Sequence, residues 1–305
     1  MLDQAQKEEV LAYSKIAEAS GGLLTLKDLL ELLAIDATEE ELEQGISSDE
    51  SLSSKVFVES GLVLSRHPGS DRGSAREAAE EEDRRRRRAM ANVEAARAFA
   101  RLLSKDTVFV AVAGTNSYLS AAVSDDIDFY CVTKTDGMWA FMLKSLVLSR
   151  VFSLLRRPTP PFDFSFVMDE ERANEELSRP KGALYARDTL NARVISGSDA
   201  YRTILENASW MKSYFPSLYE RRLAEVGSGQ GRSLPGKKGS KIVNSWLFIT
   251  LGSYVALRAW ILNRKLAKHG RSDSIFKTWI GPGRLEYASR RYGELGKMYQ
   301  GLEKR

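Results

Sequence analysis

The spacing of apolar positions changes period several times along the chain, and each change predicts an element. In "QKEEVLAYSKIAEA" and "TLKDLLELLAI" apolar residues recur every three or four positions, so two helices are predicted, the second capped by Thr25. "KVFVESGLVLSR" carries two short β-branched runs around Glu59-Ser60-Gly61, the mark of a hairpin. Helices closed by a hairpin predict a winged-helix-like module over residues 1–66. The loop "HPGSDRGS" and a charged helix come next, over 67–104. In that helix Glu80, Glu81, Glu82 and Asp83 each precede an arginine by four residues, the favourable order for ion pairs along a solvated face.

Farther on, the apolar runs become continuous. "TVFVAVA" (107–113), "IDFYCVT" (127–133) and "PFDFSFVMDE" (161–170) predict three strands, and "GMWAFMLKSLVLSRVFSLLRR" (137–157) a crossover helix between the last two. Strand, strand, helix, strand predicts an α/β core, of α+β type with a mixed sheet, over 105–226. The Gly, Pro and Lys-rich stretch 227–241 predicts a flexible linker. A basic helical carboxy-terminal region is expected over 242–305. Inside it "VNSWLFITLGSYVALRAWIL" (243–262) raises the membrane question, because Trp246 and Trp260 lie near its ends with bases on both sides. Asn244, Gly252, Ser253 and Arg258 interrupt it, so the expectation is a helix buried against the core, with a membrane-spanning helix or membrane-surface contact through 243–268 as the alternative.

Charge changes this picture more than composition does. Residues 1–60 hold fourteen acids and four bases, while residues 221–305 hold eighteen bases and five acids. The carboxy-terminal third is therefore the part suited to an anion. The acidic "TEEELEQGISSDES" argues against DNA binding by the first module, since phosphate contacts need the opposite sign. Bases interleaved with aromatic residues over 269–305 suit single-stranded RNA or a nucleobase, or else a solvated helix with its tyrosines inward. The lone Cys131 excludes an internal disulfide, and with no signal-peptide pattern at the start the expected compartment is cytoplasmic. His67 and His269 are too far apart in sequence to suggest a zinc site.

The candidate chemistry lies between the first two strands, in "GTNSYLSAAVSDDID" (114–128). Side chains alternate along a strand, so Asp126 and Asp128 share one face and Ile127 and Phe129 the other. Neighbouring carboxylates repel, and burying them is costly unless something positive lies between them. They are either solvated at a strand end or hold a hard divalent cation such as Mg2+ or Mn2+. In the third strand Phe162, Phe164 and Phe166 are expected on the apolar face with Asp163 opposite. If that strand lies beside the second, three carboxylates converge as two-metal chemistry requires. Asp169 or Glu170 at the strand end could serve in place of Asp163. At the end of the first strand, Gly114 and Thr115 offer backbone N–H groups and a hydroxyl to a phosphate.

An apolar strand ending in Gly114-Thr115, then ten residues, then Asp126-Ile127-Asp128, resembles the polymerase-β-type nucleotidyltransferase superfamily, with Asp163 matching its third acid. Residues 183–217 resemble the stretch after the third strand in a group of uncharacterised bacterial and archaeal nucleotidyltransferase-domain proteins. The match there rests on Ala186-Arg187-Asp188, Gly197, Asn207, Trp210 and Phe215-Pro216. That group also carries an amino-terminal winged-helix-like segment, so the resemblance covers most of residues 1–217. Thr115 stands where serine is usual, and Tyr118 where many members have arginine.

The resemblance implies Mg2+- or Mn2+-dependent transfer of a nucleoside monophosphate from an NTP to an acceptor, with release of pyrophosphate. Asp126 and Asp128 would bind both metals. Asp163 would bind one and help deprotonate the acceptor hydroxyl. Gly114, Thr115 and Arg187 would hold the nucleotide. The acceptor, whether RNA, protein or small molecule, is left open. The alternative is a non-catalytic protein that binds RNA or an anionic surface on a degenerate version of this core.

Overall fold

The amino-terminal pattern folds as helix Gln4–Ser20, strand β1 (Leu24–Thr25), helices Leu26–Leu33 and Glu39–Ser48, a helical turn at Glu50–Ser53, and the hairpin β2 (Val56–Glu59) and β3 (Leu62–Ser65). These elements are seen in a computed structural model that describes residues 2–20, 22–66, 72–155, 160–227 and 238–303. Thr25 caps its helix by accepting from the Asp28 amide, as expected. The hairpin turns through Ser60 and Gly61, with φ of 53° and 76°, the two positive values a tight two-residue turn needs. β1, β3 and β2 form a three-stranded antiparallel sheet. The module is not separate from the rest of the chain. Val10, Ile16, Leu29 and Leu33 share one core with Tyr201, Phe215 and Tyr299.

The second sheet has six strands in the order β7-β4-β5-β6-β9-β8. These are β4 (Thr107–Val112), β5 (Ile127–Thr133), β6 (Phe162–Asp169), β7 (Arg193–Ser196), β8 (Phe276–Gly281) and β9 (Arg284–Ser289). Only β5 and β6 run parallel, joined by the helix Met138–Leu155 as the crossover. On one face Ile127, Phe129 and Cys131 pack with Phe99, Trp139 and Phe141, from the charged helix Arg72–Ala100 and the crossover helix. On the other face Tyr130 and Val132 join the larger core. The protein is thus mixed α and β with one mixed sheet, as the periodicity predicts.

Three expectations are corrected. Residues 242–305 are not all helical, because "FKTWIGPGRLEYAS" folds as the hairpin β8–β9 and β9 completes the sheet against β6. Gly281-Pro282-Gly283 supplies the turn, and the alternating Leu285 and Tyr287 both pack toward the core. Second, Phe166 does not share a face with Phe162 and Phe164. Asp128 pairs with Asp163 but Tyr130 with Phe166, so β6 carries one extra residue there, a bulge that turns Phe166 onto Tyr130 and Tyr185. Third, the apolar segment 243–262 is buried along one face only. It belongs to the helix Lys241–Lys268, of which only 17% of the most apolar window is buried.

Of the expected linker, residues 228–237 lie outside the described residues, as do 67–71 of the expected loop. On the charged helix, Glu81 takes both Arg84 and Arg85, while Arg88 reaches away to the Ala121 carbonyl at 2.6 Å.

Candidate functional site

β4 ends where Gly114 turns the chain. Its φ is +62°, and a Cβ built there would lie inside van der Waals distance of the Asp128 carboxylate. Glycine is therefore needed twice, for the left-handed backbone and for the space that Asp128 occupies. The Ala113 amide donates to the Asp128 carbonyl at 2.9 Å, which fixes the two strand ends side by side.

The loop from Gly114 to Asp126 is pinned by its own polar residues. Asn116 Nδ2 donates to the Asp126 carbonyl at 2.7 Å, and Asn116 Oδ1 accepts from Asn92 at 2.8 Å, both asparagines being buried. Arg193 Nε donates to the Ser117 carbonyl at 2.8 Å. Asp125 is used inside the loop. One of its oxygens accepts from the Thr115 hydroxyl at 2.7 Å and from the Ala122 amide at 2.9 Å. Thr115 is thereby a brace of the loop, and its hydroxyl hydrogen points at Asp125.

Asp126, Asp128 and Asp163 are brought together, as the alternation along the strands predicts. Each offers a carboxylate oxygen, and these oxygens lie within 4.8 Å of one another. Asp128 and Asp163 are direct neighbours in the β5–β6 ladder, just before the bulge. The bulge also brings Ser165 to this side, where its hydroxyl donates to Asp128 Oδ1 at 3.3 Å.

Burial pushes the Asp128 carboxyl well above the usual range, and Asp126 and Asp163 add to the push. Burial, then Asp126, raises Asp163 to about 6. Burial raises Asp126 as well, against its own backbone amide, with Asp125 adding to it. No cation among the described residues enters the balance on any of the three. A hard divalent cation among these oxygens would relieve the repulsion, so the acidic triad can hold a metal ion.

Asp169 and Glu170, the alternatives for the third acid, lie at the other end of β6. Asp169 pairs in register with Thr133 and caps the next helix, accepting from the Arg172 amide at 2.9 Å. Glu170 is exposed.

The expected nucleotide contact at Arg187 is not where the structure places that side chain. Its guanidinium lies 5.0 Å over the Tyr118 ring and donates to the Tyr299 hydroxyl. The next residue, Asp188, accepts from Tyr118 at 2.5 Å. Burial pushes the Asp188 carboxyl up, against hydrogen bonds from Tyr118 and Tyr292 that lower it. Ala186-Arg187-Asp188 thus clamps the terminal helix Arg290–Glu303 to the core. The other residues of that stretch are structural too. A Cβ at Gly197 would strike the backbone of Val108 and Phe109, and Trp210 donates to the Leu177 carbonyl at 2.8 Å.

The triad lies in a cleft of about 1220 Å3 that is also lined by Gly114, Tyr130, Ser165 and Asp188. Its other walls come from the crossover helix, the helix Lys241–Lys268 and β9. They supply three cations absent from the sequence expectations, Arg150, Arg258 and Lys265. The available signal was a base inside each apolar helix pattern, Arg150 within 137–157 and Arg258 within 243–262. A smaller cavity of about 440 Å3, under the amino-terminal hairpin, holds none of these residues.

In comparisons with protein-family models, curated proteins and solved structures, nothing matches this chain.

Proposed function

We propose that the protein is a metal-dependent nucleotidyltransferase of the polymerase-β type, which transfers a nucleoside monophosphate from an NTP to an acceptor hydroxyl. The observation that carries this reading is the convergence of Asp126, Asp128 and Asp163 against Gly114 at the floor of a cleft with cationic walls. An all-oxygen, all-carboxylate donor set is hard and suits Mg2+ or Mn2+. Desolvation raises Asp128 and Asp163, and neighbouring acids add to it, which fits residues arranged for a cation.

In this reading Asp126 and Asp128 would hold two metal ions, and Asp163 one of them. When bound, the ions supply charge for the triphosphate and for the oxygens that enter and leave at phosphorus. The chain's own residues do the rest. Asp163, the acid beside Asp128, accepts the proton of the acceptor hydroxyl. The new bond joins the acceptor oxygen to the α-phosphorus, the α–β phosphoanhydride bond breaks, and pyrophosphate leaves with the electron pair. Arg150, Arg258 and Lys265 attract the triphosphate and then the pyrophosphate. Gly114 leaves the backbone of the turn open to a phosphate. Thr115 holds that turn through Asp125 rather than touching the nucleotide.

The non-catalytic alternative requires a degenerate acid set, whereas Asp128 and Asp163 pair in register with Asp126 and Gly114 beside them. Incubation with α-labelled NTPs, Mg2+ or Mn2+, and RNA, protein or small-molecule extracts tests the proposal. Label transferred by the wild type and not by the Asp126→Asn/Asp128→Asn variant is expected. Absence of both transfer and metal-dependent NTP binding would overturn it.

A further inference from the structure

The helix Lys241–Lys268 presents three different faces. Its inner face is bolted to the sheet at both ends. Near the start, the buried Asn244 side chain accepts from the Trp139 amide at 2.8 Å and donates to the Pro282 carbonyl at 3.0 Å. Near the end, Asn263 donates to the Phe276 carbonyl at 2.7 Å and accepts from the Phe276 amide at 3.1 Å. Between them Leu247, Gly252 and Ala259 are buried. A second face, with Tyr254, Arg258, Ile261 and Lys265, lines the cleft. The third has no partner among the described residues. Ile242, Trp246, Ile249, Leu257 and Trp260 recur there at helical spacing, and Trp246 and Ile249 keep about two thirds of their surface exposed, 64% and 66%.

The neighbouring crossover helix carries a second stripe. On the crossover helix Leu143, Val147, Val151 and Leu154 recur every three or four positions, and all four are exposed. Val147 and Val151 also line the cleft, and the crossover helix packs against the start of Lys241–Lys268, so the two stripes belong to neighbouring helices. Soluble proteins seldom expose so continuous an apolar surface without a use for it.

Charge identifies the occupant. No acid lies between Glu225 and Asp273, whereas Lys241, Arg258, Arg264, Lys265, Lys268 and Arg271 do. Tryptophans stand toward both ends of the apolar stripe, and the Arg264 guanidinium lies 5.2 Å over the Trp260 ring. Apolar residues edged by bases and tryptophan are the composition of a helix lying in the interface of an anionic bilayer. A second copy of the chain would present the same basic face in a symmetric contact, and the two would repel. Crossing the bilayer would break all four asparagine hydrogen bonds and strip β8 and the crossover helix of their cover.

The geometry points to this face, the outer stripe of Lys241–Lys268 with the neighbouring stripe of Met138–Leu155, as a docking surface for an anionic membrane. The helix lies in the membrane plane with its outer stripe toward the lipid. The inference does not depend on the transferase reading.

The test is flotation of the full chain with phosphatidylcholine vesicles, with and without phosphatidylglycerol. Binding is expected only with phosphatidylglycerol, reversed by high salt and by alkaline carbonate. Trp246→Ser/Leu257→Ser/Trp260→Ser should abolish it. These side chains are exposed, so an unchanged thermal midpoint and circular dichroism spectrum will show that the variant is folded. Arg264→Gln and Lys268→Gln should each weaken partitioning about fivefold. Asp126→Asn/Asp128→Asn should bind as the wild type does, which separates this outcome from the fate of the transferase reading. No binding to the anionic vesicles would overturn the proposal. So would a dimer that the triple variant dissociates, or a carbonate-resistant, spanning chain.

Discussion

The two ends of the β5–β6 pair make the same residues do different work. At one end Asp128 sits opposite Asp163, with Gly114 against the Asp128 carboxylate. At the other, Asp169 sits opposite Thr133, with Gly283 against the Asp169 carboxylate. Burial raises the carboxyl group at both ends. The difference is in the partners. Asp169 receives the Arg172 amide and begins a helix, so its lone pairs have a structural use. Asp128 meets two more acids and a single serine hydroxyl at 3.3 Å. An acid beside a glycine at a strand end is therefore uninformative alone; what it faces decides whether it is a cap or a candidate ligand.

The largest expected effect tests that contrast directly. Asp126→Asn/Asp128→Asn should lower label transfer by about a thousandfold or more, roughly 4 kcal/mol of transition-state stabilisation. Asp169→Ala should leave transfer intact and cost about 1 kcal/mol of stability through the lost cap. Steady-state rates beside urea unfolding curves check both. Equal loss of activity in the two variants would remove the distinction.

The second test uses pH. A free aspartate titrates at about 3.9, and Asp163 is raised to about 6 in the fold. The folded state therefore holds more protons between those values. The stability of the metal-free protein should fall as pH rises from about 4 to about 6 and stay lower above, by about 3 kcal/mol from Asp163. Asp126 and Asp128 are raised too and act in the same sense. Mg2+ should restore the loss at neutral pH and do nothing below about pH 3, where free and folded carboxyls are alike protonated. Asp163→Asn should flatten the slope and raise the metal-free midpoint. Thermal melts across pH, with and without Mg2+, decide it.

The glycines offer a smaller perturbation of the same comparison. Gly114→Ala and Gly283→Ala each place a methyl group against a carboxylate, at Asp128 and at Asp169 respectively. Each should cost about 2 kcal/mol, the former through its positive φ as well. Only Gly114→Ala should also weaken Mn2+ binding, measured by calorimetry, because only it displaces a triad oxygen.

Strands β4, β5 and β6, the crossover helix and the three acids were legible because each depends on a period within one segment. Phe166 was not, since a bulge is a property of two paired strands and cannot be counted along one. The β8–β9 hairpin was obscured by the bases among its aromatic residues, although Gly-Pro-Gly marked its turn. Arg150, Arg258 and Lys265 meet only once two helices from distant parts of the chain wall one cleft. Arg187 lies in the interior because Tyr118 and Tyr299 arrive from either side. For Lys241–Lys268, hydropathy reports a wish to leave water and is silent on whether protein or lipid provides the cover.

Thr115 gives the smallest and most discriminating effect. The resemblance implies a hydroxyl that holds phosphate, whereas here that hydroxyl donates to Asp125 at 2.7 Å and completes the loop with the Ala122 amide. Thr115→Val keeps the shape and removes the donor. If Thr115 is a brace, the variant loses about 1 kcal/mol of stability, and its KM for NTP changes little. Asp125→Ala removes the acceptor of both the Thr115 hydroxyl and the Ala122 amide, so it should cost more than Thr115→Val, and adding Thr115→Val to it should add almost nothing. If Thr115 instead holds phosphate in the working complex, KM rises about tenfold with stability unchanged, and Asp125→Ala has no such effect on KM. A cycle of the four proteins, read by unfolding and by KM, separates the two roles of this hydroxyl.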